Sequence, residues 1–183
     1  AARVAARLAV GEPVPKLANV YYPSPGGNQL EFEDGMPLGT RGGMKVSHAF
    51  PADGEYLINI LDLDVGLFPR AVETAQTLVV LIDGSEVFRA DLGGPEDMEI
   101  ANKEGAAGSA RIMERFTAIP AQVKAGRYDV IVTFIERSRA ESDWTVGAGG
   151  FGGARLSRVI DGIEIVGPHN PTGISQTPSR AKI

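Results

Sequence analysis

The chain has 183 residues, of which 43% are hydrophobic, an ordinary share for one globular domain with a buried core. Its formal net charge of −5 argues against nucleic acid and anionic lipid as partners, because both attract basic protein surfaces. The absence of cysteine excludes disulfides, thiolate zinc sites, iron–sulfur clusters and c-type haem attachment within these residues.

We expect neither a membrane span nor a signal peptide from the pattern of these residues. The longest purely apolar run, Leu78–Ile82, is far too short to cross a bilayer. The N-terminus lacks the basic start, apolar centre and cleavage site of a signal peptide, and it does not begin with methionine. We therefore expect the chain to be an excerpt of a larger protein or a processed product.

The N-terminal segment predicts the last turns of a helix, followed by a linker. Ala1–Val10 is alanine-rich and places Val4 and Leu8 one helical turn apart. The linker contains two adjacent tyrosines, Tyr21 and Tyr22. The favoured interpretation packs one ring inward and leaves the other on the surface, and the alternative is a stacking platform for sugars.

The next stretches predict strands separated by glycine-rich turns. Gln29–Glu33 alternates apolar and acidic residues, which predicts a half-exposed strand. Gly35–Gly43 predicts a glycine-rich loop, and Met44–Phe50 predicts a second strand. Glu55–Val65 is apolar on both faces for most of its length, which predicts a central strand covered on both sides.

The clearest local signal is a β-hairpin over Thr77–Leu92, with Asp83 and Gly84 at its tight turn. Gly93–Ser109 is polar and predicts a long loop or a partly helical excursion. Ala110–Val123 then resumes the strand pattern.

Two further strands complete the pattern. Arg127–Arg137 alternates apolar and polar residues, and Arg158–Val166 predicts a closing strand that leads into a proline-bearing exit. Repeated short strands with glycine and proline turns predict an all-β protein, an antiparallel β-sandwich of jelly-roll type with a short N-terminal helix and a Pro-rich C-terminal tail. We expect residues 1–25 to be helix remnant and linker, 26–167 the sandwich and 168–183 the tail. The predicted core is Ile58, Ile60, Leu78, Val80, Val130, Val132, Phe134, Ile163 and Ile165.

The motifs that often carry chemistry are weak in this sequence. Gly147–Gly152 matches G-x-G-x-x-G, but a dinucleotide site needs a helix after the glycines, and here a strand follows. The segment instead predicts a flexible loop, on which Trp144 and Phe151 are candidates to line a ligand groove. His48 and His169 lie in different segments, so they do not indicate a transition-metal site.

The carboxylates leave alternatives open. Glu31 and Glu33 share one face of a predicted strand, as do Asp62 and Asp64. Calcium binds converging oxygens, so a calcium site is one interpretation. The favoured one is a solvated strand edge that discourages edge pairing, because no EF-hand-like spacing fixes the ligands. Glycoside hydrolysis by these pairs is a third, but nothing in the sequence indicates the groove that it needs.

Four stretches carry a family resemblance: GTRGGMKVSHAFPADG, LIDGSEVFRADLGGPED, VKAGRYDVIVTFIERSRAESD and DGIEIVGPHNPTGISQTPSR. They resemble a large multidomain family of planctomycetes, acidobacteria and related bacteria, in which domains of unknown function are joined to cytochrome-c-type haem domains. The resemblance spans nearly the whole chain. It implies a position between helical domains, with the haem-attachment Cys-x-x-Cys-His elsewhere, and therefore no haem in this chain.

A looser resemblance concerns AFPADGEYLINI and IDGIEIVG. These stretches, and the predicted strand order, are similar to carbohydrate-binding modules of the calcium-dependent xylan-binding type. The similarity implies a carbohydrate-binding-module-like sandwich that binds glycan through loop residues, with calcium as a candidate cofactor.

These observations predict a non-catalytic module, periplasmic or extracellular, that binds polysaccharide. Because sugar faces stack on aromatic rings, the candidate ligand contacts are Trp144, Tyr21, Tyr22 and Phe151. The candidate calcium ligands are Glu31, Glu33, Asp62 and Asp64. The alternative is a structural or docking subunit of a larger haem-containing or membrane-bound electron-transfer assembly. We expect no enzymatic activity, no nucleic-acid partner and no membrane span.

Overall fold

The computed structural model describes residues 16–23, 32–61, 63, 72, 75–136 and 160–172. These residues form eight strands and two short helices. In chain order the elements are β1 (Leu17–Tyr21), β2 (Thr40–Phe50), β3 (Gly54–Leu61), β4 (Gln76–Ile82), β5 (Ser85–Leu92), α1 (Pro95–Glu104), α2 (Ala106–Glu114), β6 (Ile119–Val123), β7 (Gly126–Ile135) and β8 (Gly162–His169). The predicted N-terminal helix and most of the predicted C-terminal tail lie outside the described residues.

The strands form two antiparallel four-stranded sheets, which makes the described part of the chain mostly β and sandwich-like. The first sheet has the order β1-β8-β3-β6 and the second has the order β2-β7-β4-β5. Successive strands change sheet along the chain, except at the β4–β5 hairpin. β1 belongs to the first sheet although it precedes residue 26, where we expected the sandwich to begin.

One hydrophobic core lies between the two sheets and draws on both. All nine predicted core residues are buried, each at most 2% exposed. Alternation explains this success, since every second residue of a strand points to the same face. Phe50 and Tyr56 extend the core with ring centroids 4.7 Å apart in an edge-to-face arrangement. The Tyr56 hydroxyl donates to the carbonyl oxygen of Ala52 at 2.8 Å, so this buried polar group is satisfied.

The predicted hairpin is confirmed as β4 and β5, paired antiparallel across the Asp83-Gly84 turn. Asp83 has φ 49° and Gly84 has φ 77°, the left-handed conformation at both central positions that matches the twist of the flanking strands. Aspartate and glycine are among the residues that adopt it most readily.

The segment after the hairpin is helical, which confirms the partly helical alternative for Gly93–Ser109, but the helices extend further than we expected. The predicted strand start at Ala110 is wrong, because Pro95–Glu104 and Ala106–Glu114 are helices and β6 begins only at Ile119. Asp97, in the first turn of α1, links this helix to the residues on either side of the helical segment. Its carboxylate accepts the backbone N–H of Gly93 at 2.7 Å and pairs with Arg115 beyond the second helix. A proline at the helix start and acidic residues in its first turn were available as sequence signals.

The predicted loop over residues 35–43 is confirmed for residues 35–39, but the four residues before Met44 belong to a strand. β2 begins at Thr40 and contains a bulge between Arg41 and Met44. The bulge is held by Thr133, whose buried hydroxyl lies 3.1 Å from the carbonyl oxygen of Arg41 and 2.8 Å from that of Gly42. The glycines supply the positive φ that lets the strand continue past the extra residue.

The limits of three other predicted strands differ as well. β8 extends three residues past Val166 and includes Pro168, which we had assigned to the exit. β3 ends at Leu61 and is central in its sheet, but only its inward face is fully buried. Phe32 and Glu33, the described end of the predicted strand over Gln29–Glu33, are not in a strand.

Neither described helix reaches the length and apolarity that crossing a bilayer requires.

Substitution of two glycines, one inside β2 and one directly before it, tests the role of the bulge. Gly43 has φ 96°, and a Cβ there would lie 2.7 Å from the Cα of Thr133. Gly39 has φ 77° but no heavy atom within 4 Å of such a Cβ. We expect Gly43→Ala to lower the free energy of unfolding by about 3 kcal/mol, and Gly39→Ala by about 1 kcal/mol, because only the first adds a clash to the backbone strain. Urea denaturation measures both, and equal losses would contradict the role of close strand approach.

Candidate functional site

The two sheets differ in how far the side chains that point away from the core are exposed to solvent. In the second sheet, Val79, Ile131 and Thr133 point away from the shared core, yet they are only 2%, 7% and 0% exposed. In the first sheet, Val20 is 44% exposed and Tyr22 is 73% exposed. We use the term outer face for the side of the first sheet that points away from the core, formed by Ala18, Val20, Tyr22, Leu57, Asn59, Leu61, Gly162, Glu164 and Val166.

An exposed aromatic ring lies at one end of the outer face. Tyr22 follows β1 directly, and its Cδ1 atom is 3.3 Å from the position that a Cβ on Gly162 would occupy. Leu61 of β3 lies on the other side of the same glycine, with its Cδ1 atom 3.4 Å from that position. Because Gly162 has no side chain, the Tyr22 ring can pack against the sheet at this position, while most of the ring stays exposed to solvent.

A polar pair lies one row further along the outer face. Asn59 of β3 and Glu164 of β8 are direct cross-strand partners, and the Asn59 amide donates to Glu164 Oε2 at 2.7 Å. The Asn59 Oδ1 atom accepts the backbone N–H of Ala118 at 2.7 Å. These two hydrogen bonds fix the orientation of the amide and hold one carboxylate oxygen of Glu164 in place.

The neighbouring Tyr21 points the other way and joins the two sheets. Its hydroxyl is hydrogen-bonded to Nδ1 of His48 in β2 at 2.7 Å, and the two rings meet edge to face. His48 is 4% exposed and also packs edge to face against Phe50, with ring centroids 4.5 Å apart. Tyr21 therefore anchors the end of β1, from which Tyr22 projects outward, as the favoured interpretation of the tyrosine pair predicted.

Burial and a nearby cation determine the protonation of this inter-sheet pair. Burial lowers the pKa of His48 below its usual 6.5, and the positive charge of Arg127 lowers it further. Burial raises the pKa of Tyr21, against a smaller opposite effect of Arg127. Both side chains are therefore neutral at pH 7, which suits a contact buried between two sheets.

Most of the candidate site residues from the sequence lie outside the described residues. These are Trp144, Phe151, Glu31, Asp62 and Asp64. Glu33 is described, and it lies in a turn where its backbone carbonyl oxygen accepts the N–H of Met36 at 3.2 Å. No group of three metal-binding side chains converges within the described ranges, so they give no support for the predicted calcium site.

Sequence reasoning missed the polar pair on the outer face. Asn59 and Glu164 are 105 positions apart and become neighbours only through the register of β3 and β8. A signal was present, because Asn59 is the polar residue within LINIL and Glu164 the charged residue within IEIVG. A single polar residue inside an apolar strand marks either an outward position or a specific partner.

Comparisons with protein-family models, with curated proteins and with solved structures find no match to this chain.

The low pKa of His48 predicts an acid-sensitive contact between the sheets. The unfolded chain takes up the proton near pH 6.5, whereas the folded chain takes it up only at lower pH. The free energy of unfolding should therefore be constant around pH 7 to 8 and decrease as the pH falls through about 6.5.

Chemical denaturation between pH 8 and pH 5 measures this dependence. His48→Gln should lower stability throughout but flatten the slope just below pH 6.5, because glutamine does not titrate. An unchanged slope in His48→Gln would contradict the assignment to this side chain.

Proposed function

We propose that this chain is a non-catalytic module that binds polysaccharide on the outer face of its first sheet. The single observation that carries the proposal is the Tyr22 ring, seated on Gly162 and 73% exposed, beside the hydrogen-bonded pair of Asn59 and Glu164. An exposed ring offers a stacking surface to the apolar face of a sugar. The adjacent amide and carboxylate offer partners to sugar hydroxyls. A polysaccharide ligand implies a periplasmic or extracellular location, which is part of the proposal.

The proposal includes a finer description of the fold, a jelly roll similar to carbohydrate-binding modules. The alternation of successive strands between the sheets supports it, since an eight-stranded jelly roll consists of two Greek keys divided in this way. Fold alone does not determine a ligand, so the functional argument depends on the outer face.

Calcium remains a proposed cofactor. Because Glu33 is the single described residue among the four candidate ligands, no coordination geometry supports it. The binding experiment therefore needs two arms, one with calcium and one with a chelator. Loss of binding in the chelator arm would establish the metal requirement.

The contribution of Tyr22 can be tested directly. We expect Tyr22→Ala to weaken polysaccharide binding by about tenfold to a hundredfold, because it removes the stacking surface from the site. The fold should be unchanged, since the ring is largely exposed. Affinity electrophoresis against soluble polysaccharides and pull-down on insoluble ones measure the effect.

Phe32→Ala is the matched control for this variant. Phe32 is also an exposed aromatic residue, at 46%, but it lies outside the sheets. The Phe32→Ala variant should bind polysaccharide as tightly as the original chain does. Absence of binding to every polysaccharide tested, or equal binding by Tyr22→Ala, would refute the proposed function.

A second candidate function is a docking subunit of a larger haem-containing or membrane-bound electron-transfer assembly. It is favoured by the exposed apolar side chains of β1, Leu17 at 48% and Val20 at 44%. β1 stands at the edge of the first sheet as described, and edge strands offer backbone groups for pairing. Under this function, Val20→Lys should remove haem absorbance from the fraction that copurifies with the tagged chain.

A further inference from the structure

On the basis of the proposed function, we infer that the outer face selects neutral, hydroxyl-rich glycans and discriminates against glycans that carry carboxylates or sulfates. The inference concerns the class of polysaccharide, and it derives from the charge and geometry of Glu164 rather than from the stacking ring. It extends the proposed function, which by itself specifies no charge for the ligand.

The geometry of Glu164 makes it an acceptor toward any ligand on the outer face. Its Oε2 atom already accepts the Asn59 amide, and an ionised carboxylate has further acceptor positions on both oxygens but no donor. The Asn59 Oδ1 atom accepts the N–H of Ala118, so one of its acceptor positions is already occupied. A ligand group that meets Glu164 therefore has to present a donor, and a sugar hydroxyl does so.

Among the described residues, no cation forms an ion pair with the carboxylate of Glu164. A ligand carboxylate or sulfate bound nearby would meet a like charge at a half-buried position, where charges are less screened than in water. The expected penalty for one such contact is about tenfold in affinity.

A second carboxylate lies further along β3, on the same side of the strand as Asn59 but beyond the residues that define the outer face. Glu55 of β3 is four residues before Asn59, a separation of about 13 Å along the strand. It accepts a hydrogen bond from Gln122 of β6 at 3.2 Å, and the two residues are cross-strand partners. A glycan that extends along β3 therefore meets a second acceptor, and an anionic glycan meets a second repulsion. The net charge of −5 acts in the same direction.

Polymer pairs that differ in charge but share a backbone test the inference. We would measure affinity electrophoresis on hydroxyethylcellulose against carboxymethylcellulose, and on arabinoxylan against glucuronoxylan. The chain should bind the neutral member about tenfold more tightly, and the preference should grow at low salt, because screening weakens. Glu164→Gln keeps an oxygen acceptor for Asn59 and should raise affinity for the anionic member several-fold.

Glu96→Gln is the matched control, since it removes the same charge from an exposed position on α1, away from the sheets. It should leave the preference unchanged. Binding that depends on Tyr22 but is equal for neutral and anionic polymers, or a preference unchanged in Glu164→Gln, would overturn the inference and leave the proposed function in place. Absence of Tyr22-dependent binding to all four polymers would overturn both. Circular dichroism of each variant verifies that it is folded.

Discussion

The first sheet depends on one constraint, the close packing of other chain segments against both faces of β8. This strand pairs with β1 on one side and β3 on the other, so it connects the N-terminal strand to the rest of the sheet. Two of its residues are glycines, and each accommodates a tyrosine. The ring of Tyr56 fills the inner side at Gly167, where a Cβ would lie 2.9 Å from its Cγ atom. The ring of Tyr22 covers the outer side at Gly162. A side chain at Gly167 would displace the Tyr56 ring. At Gly162, a Cβ would lie 2.8 Å from the Tyr21 carbonyl oxygen and 3.3 Å from the Tyr22 ring.

Two adjacent tyrosines, Tyr21 at the end of β1 and Tyr22 directly after it, divide two roles between the two faces of the first sheet. Tyr21 crosses to the second sheet and is held by His48, while Tyr22 presents its ring to solvent. Because successive side chains in an extended strand point to opposite faces, fixing the first also fixes the direction of the second. The inter-sheet hydrogen bond thus helps to order the end of β1, together with its pairing to β8. An exposed ring on an ordered strand loses less conformational entropy on binding than one on a mobile segment.

The sequence predicted the parts of this molecule that depend on local pattern. Alternation identified nine buried core residues, and an aspartate–glycine turn identified the hairpin. Prediction from the sequence failed where tertiary contacts determine the local structure. Ile112 and Phe116 are buried as a strand pattern would require, but they belong to a helix and the turn that follows it. The glycines before Met44 suggested a loop, although hydrogen bonds from the hydroxyl of Thr133 in β7 hold this segment in a strand. For the site, the sequence named Tyr22, but the pairing of Asn59 with Glu164 depends on a register that no local pattern contains.

The polar pair also bears on the choice between the two proposed functions. A protein that docked flat on the outer face would remove Glu164 from water, and burying a carboxylate is costly unless a donor or cation replaces the lost water. A glycan avoids this cost, because its hydroxyls are donors distributed along the whole chain and its outer side stays hydrated. The exposed apolar side chains of β1 lie at the sheet edge, but one of them, Val20, is the cross-strand partner of Glu164 on the outer face. A protein partner that covered Val20 would therefore also meet Glu164, and this cost favours the glycan as the ligand of the outer face.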